Sequence, residues 1–133
     1  MKITVDTNVL VRAVIRDDEK QVRAAERALK EATVIAVALP TLCEFVWVLR
    51  KVYDVAPADI ATAVRALLET GNLVANRPAA EAGLSMLDAG GDFADGVIAH
   101  EGNWLGGDIF VSFDKKAVVL LTEQGHSAAL LNE

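Results

Sequence analysis

Apolar residues follow two rhythms along the chain. Short apolar runs occur at Lys2 to Val5, Thr33 to Leu39, Ile109 to Phe113 and Ala128 to Leu131, with a brief one at Leu73 to Ala75. They are rich in β-branched, aliphatic or aromatic residues and mostly flanked by turn formers or polar residues, so each predicts a strand. Between them the apolar positions recur at helical spacing. A helix is predicted to begin around Thr7 to Asn8, and a second to cover Asp17 to Ala32, with Val22, Ala25, Ala28, Leu29 and Ala32 as its apolar face. Pro40 suits the first turn of a third, Thr41 to Tyr53. Pro57 to Thr70 is stopped by Gly71, and Pro78 to Ala89 by Gly90-Gly91. Phe93 to about Trp104 follows Asp92 as a cap, and Lys115 to Gln124 is ended by Gly125.

Strands and helices alternate, and the strands are apolar throughout rather than every second residue. Such strands are expected in a parallel sheet covered on both faces. The predicted fold is α/β, a single domain over residues 1–133 with a central, mainly parallel β-sheet flanked by helices on both faces. In such sheets ligands sit at the carboxyl ends of the strands, where Asp6 and Asp114 fall.

With 133 residues, 53% hydrophobic and 24% charged, the chain predicts one packed domain rather than disorder. Cys43 is the single cysteine, so no intrachain disulfide can form and a cytoplasmic location is expected. The N-terminal apolar segment is cut by Asp6, Asn8 and Arg12, which is unlike a signal peptide. The stretch from Val34 to Leu49 contains Pro40 and Glu44, which is unlike a membrane span. The net charge of −6 argues against a generic nucleic-acid binder. It does not exclude a polyanion held through a metal ion and a few local basic groups.

Four acids change the picture. Asp6 ends the first strand, Glu44 interrupts Leu42 to Leu49, Asp95 lies near the start of the Phe93 helix, and Asp114 follows the Ile109 strand. Asp6 and Asp114 read equally as helix caps, and Asp92 with Asp95 has the spacing of a capping box. Glu44 has no evident solvated stripe, because its neighbours are apolar. Brought close together, four carboxylates repel by several kcal/mol, roughly 3 kcal/mol per pair at about 5 Å. A hard divalent cation relieves this, and an all-oxygen set points to Mg²⁺ or Mn²⁺ rather than zinc. His100 and His126 read as ordinary histidines. No Ser-His-acid arrangement and no phosphate-binding glycine loop is evident.

Asp6-Thr7-Asn8 after a first strand, Glu44 in an apolar helix, Asp92-Phe93-Ala94-Asp95 opening a helix and Ser112-Phe113-Asp114 after a late strand together resemble the PIN-domain nucleases. The likeness is greatest to VapC-type toxins of bacterial toxin–antitoxin pairs, and it covers essentially the whole chain. The resemblance implies a Mg²⁺- or Mn²⁺-dependent endoribonuclease. Asp6 and Asp95 would be the main metal ligands, and Glu44 and Asp114 would complete the pocket directly or through water. Thr7, Asn8 and Ser112 match polar positions that orient the pocket. Ser112 stands where the family often has Thr, and Asp92 matches a frequent extra acid. An antitoxin and a homodimer are also implied, with no membrane.

Such an enzyme would hydrolyse an RNA phosphodiester to a 5′-phosphate and a 3′-hydroxyl. Arg12 and Arg16 on the first helix, and Lys115 and Lys116 beside Asp114, are the basic groups placed to meet RNA; Arg50-Lys51 is a further basic pair. Two alternatives stand. One is a structure-specific DNA nuclease of the same fold. The other is a receiver-like phospho-acceptor domain, although this chain lacks the adjacent acidic pair after strand one and the late-strand lysine of that class.

Overall fold

The computed structural model describes residues 1–132. The chain forms two compact units, Met1–Arg77 and Pro78–Glu133.

In the first unit, β1 (Lys2–Thr4), β2 (Val34–Ala36) and β3 (Leu73–Val74) form a parallel sheet in the order β1-β2-β3. Ile3 stands opposite Ile35, and Ile35 opposite Leu73. Two helices connect β1 to β2: α1 (Thr7–Val14) and α2 (Glu19–Glu31). Helices α3 (Leu39–Lys51) and α4 (Pro57–Leu68) connect β2 to β3. α1 packs on both α2 and α3, and α3 on α4. Leu10, Leu42, Phe45, Leu49, Ile60 and Val64 are wholly buried between them. Pro40 sits in the first turn of α3, as its fixed φ predicts.

The second unit begins as α5 (Arg77–Asp88) leads into α6 (Phe93–Trp104). β4 (Phe110–Ser112) and β5 (Ala128–Leu130) then pair in parallel across α7 (Lys115–Glu123), with Val111 opposite Ala129. Met86, Phe93 and Leu121 fill its core. α5 and α6 approach unusually closely at Gly83 and Gly96. A Cβ on Gly96 would lie 2.3 Å from the Ala82 carbonyl oxygen, and one on Gly83 would lie 2.7 Å from the Phe93 ring. Only glycine admits this crossing, which accounts for a residue that otherwise weakens a helix interior by about 1 kcal/mol.

The element order and the parallel pairing agree with expectation. The covering of the strands does not. Val111 is 52% exposed, and Ile109 and Phe113 beside β4 are exposed as well. β1 has no fully buried residue, and β2 has one, Ile35. The strands are two or three residues long, so their apolar runs extend into flanking loops that the sequence pattern cannot tell from strand.

Candidate active site

The first unit positions Asp6, Thr7, Asn8 and Glu44. Asp6 is the N-cap of α1 in extended conformation, and its Oδ1 accepts from the Thr7 backbone N–H at 2.7 Å. Capping uses that oxygen and leaves Oδ2 without a hydrogen-bond partner among the described residues. The Thr7 side chain is buried at 6% exposure, and its hydroxyl donates to Glu44 Oε1 at 2.5 Å. That bond joins the start of α1 to the middle of α3 and pins one carboxylate oxygen of Glu44. Asn8 is exposed on the first turn of α1.

Glu44 itself requires a correction. It is exposed, and it shares an outward stripe of α3 with Pro40, Trp47 and Lys51. Pro40 and Trp47 are apolar letters on a solvent face, so the sequence concealed a stripe that the helix does possess.

The second unit positions Asp92, Asp95, Ser112 and Asp114. Asp92 caps α6, accepting from the Ala94 N–H at 3.2 Å. Asp114 caps α7, accepting from the Ala117 N–H at 3.2 Å. The Ser112 hydroxyl oxygen accepts from the Asp114 N–H at 2.9 Å and so fixes the turn that presents Asp114. The caps foreseen for Asp6, Asp92 and Asp114 are therefore formed. Asp95 differs. It has no hydrogen-bond partner among the described residues, and the capping box is not closed. Its pKa is raised above the usual carboxylate range, first by partial burial, then by the charges of Asp92 and Asp114.

Among the described residues no group of three or more His, Cys, Asp or Glu lies close enough to hold a metal ion. The donor chemistry of each unit nevertheless fits a hard cation. The candidate groups are all carboxylates, oxygen donors of the kind such a cation takes. Asp6 and Asp114 each keep one oxygen beyond the cap, and the charged neighbours that bear on Asp95 are the acids Asp92 and Asp114. His100 keeps a buried Nε2 without a hydrogen-bond partner among the described residues.

The basic residues divide. Lys115 and Lys116 are exposed at the start of α7. Arg16 is paired with Glu26. Arg12 is committed elsewhere: it pairs with Asp17, donates to the Tyr53 hydroxyl at 2.7 Å, and has only 12% of its side chain exposed. Tyr53 was not foreseen as its partner, since nothing local links a residue beyond α3 to α1. Gly96 was also missed, although a glycine inside a helical pattern beside a candidate ligand was the available signal.

No curated protein matches the chain. The family model of the PIN domain matches residues 3–119, spanning both units. Proteins of that family are in general nucleases, hydrolases of phosphodiester bonds, and in general use divalent metals. With most of its length matched, this chain belongs to the PIN domain family.

Proposed function

We propose that the protein is a Mg²⁺- or Mn²⁺-dependent endoribonuclease and the toxin of a toxin–antitoxin pair. Asp6 and Asp95 are its main metal ligands, with Glu44 and Asp114 completing the acidic set. The observation that carries it is the PIN-domain match over residues 3–119, supported by Asp95, a half-buried carboxylate with Asp92 and Asp114 as charged neighbours. A group so placed is costly in a protein that does not use it.

When bound, the ion lowers the pKa of water and polarises the scissile phosphate. The remaining work falls to side chains. Thr7 holds Glu44 by Oε1, so Oε2 is the oxygen positioned to orient the attacking water or accept its proton. Asp114, held at its cap by Oδ1, offers its second oxygen in the same role. Lys115 and Lys116 contact the phosphate chain and offset the repulsion between RNA and the acids. In-line attack leaves a 5′-phosphate and a 3′-hydroxyl.

Family membership sets aside the receiver-type alternative. A DNA substrate remains the rival within the family. The partners proposed are RNA, a cognate antitoxin and a second copy of the chain. Trp47 and Trp104, 58% and 80% exposed, support a protein partner, because large aromatics seldom stand free without one. Among the described residues no helix is long and apolar enough to cross a membrane; a cytoplasmic site of action is part of the proposal. Labelling the ends of RNA and single-stranded DNA products tests the chemistry. Metal-dependent 5′-phosphate ends on RNA are expected. A 2′,3′-cyclic phosphate, or cleavage that persists in EDTA, contradicts the mechanism.

A further inference from the structure

Lys20, Arg23, Arg27 and Lys30 follow one another along α2 at spacings of three, four and three residues. At 3.6 residues per turn they share one face, and at 1.5 Å per residue the row is roughly 15 Å long. Val22 and Ala25, on another face, are buried. All four basic residues are exposed, and none forms an ion pair with another described residue. Neighbours in the row repel at these spacings, and Glu19, Glu26 and Glu31 beside the row moderate that repulsion. Four of the 13 basic residues of a chain of net charge −6 are thus gathered on one helix face. At the N-terminal end of the row, Arg16, Glu19, Val22 and Arg23 line a cleft of about 280 Å³.

We propose that this face of α2 is a track for the backbone of single-stranded RNA, holding the chain away from the cleaved bond. A rigid row with about one cation per helical turn, roughly 5 Å apart, matches a polyanion with evenly spaced charges better than a compact anion. The identity of the polyanion rests on the ribonuclease reading above.

The test is RNA binding by the full chain in EDTA, where the proposed cleavage is off. Anisotropy of a labelled single strand of about 20 nucleotides is followed from about 50 to 300 mM KCl, with each phosphate contact contributing about 0.7 to the salt slope. The parent is compared with the variant combining Lys20→Gln, Arg23→Gln, Arg27→Gln and Lys30→Gln. Glutamine keeps helix propensity, and circular dichroism checks the helix. The variant is expected to lose about 2 to 3 units of slope and at least tenfold in affinity. Arg23→Lys with Arg27→Lys is expected to bind like the parent. If the fourfold variant unfolds, Arg23→Gln with Arg27→Gln is expected to lose about half the slope difference. An unchanged slope overturns the track. So does a parent that ignores RNA, or one that binds anionic phospholipid vesicles in its place. Cleavage in Mg²⁺ of an RNA too short to reach the row separates the two claims. A parent that cuts nothing yet shows the slope difference defeats the ribonuclease reading alone. Cleavage with an unchanged slope defeats the track alone.

Discussion

The Thr7 hydroxyl donates to Glu44 Oε1 at 2.5 Å across 37 residues of sequence. A donor to a carboxylate fixes the plane of the group. Thr7→Val keeps the shape and removes the donor. We expect stability to fall by about 1 kcal/mol, the worth of one hydrogen bond. Turnover should fall by about 10- to 100-fold, as when the partner that orients a site carboxylate is lost. RNA affinity should hardly change, and Thr7→Ser should restore most of the turnover. Equal losses in affinity and turnover would show that Thr7 merely supports the fold.

Asp95 gives a pH dependence with a definite sign. Its folded pKa is raised, so the folded state binds the proton more tightly than the unfolded state does. Its stabilising contribution is therefore full below the unfolded pKa and lost as pH rises through the folded one. Without metal, Asp95→Asn is expected to be more stable than the parent at neutral pH, with the gap closing in acid. Divalent ions should raise the melting temperature of the parent and leave that of the variant little changed. Urea unfolding from pH 3 to 8, with and without Mg²⁺, checks both. A parent more stable than the variant at neutral pH without metal would contradict the account.

Gly96 holds the close crossing of α5 and α6 next to Asp95. Gly96→Ala drives a methyl to 2.3 Å from the Ala82 carbonyl oxygen, backbone that cannot rotate away. The expected cost is about 1 to 3 kcal/mol or more, typical of overpacking. Denaturant midpoints should show it, and an unchanged midpoint would mean that the helices part freely.

Asp54 is the one described non-glycine residue with positive φ, at 54°. It follows α3, where the Val55 N–H donates to the Leu49 carbonyl at 2.9 Å. A left-handed conformation costs an L-residue about 1 to 2 kcal/mol, and glycine gives back part of the relief as backbone entropy. Asp54→Gly should raise stability by about 0.5 kcal/mol without affecting cleavage. Thermal unfolding reads it, and a destabilised variant would show that the Asp54 side chain supports the turn.

Much of the architecture was legible because local signals agreed with one another. Pro40, Pro57, Gly90 and Gly125 mark where helices begin or end, and Asp6, Asp92 and Asp114 cap the helices that follow them. What was not legible depends on residues distant in sequence. Helical periodicity does not say that Trp47 faces outward beside Glu44, nor that Tyr53 occupies Arg12. The apolar letters of β4 promised burial, whereas Val111 is exposed, since short strands and their flanks share one composition. The acids of the site were found by type and position. Their bonds, Thr7 to Glu44 above all, belong to tertiary structure.

The central claim is a carboxylate–metal ribonuclease that depends on Asp6 and Asp95. Its most direct test is cleavage of a mixed tRNA and rRNA pool by the parent, Asp6→Asn and Asp95→Asn, with Mg²⁺ or Mn²⁺ and in EDTA. The account predicts discrete RNA fragments from the parent, lost in EDTA and reduced by about 100-fold or more in either variant, as when a transition-state charge loses its stabiliser. Cleavage indifferent to metal, or undiminished in either folded variant, would contradict it.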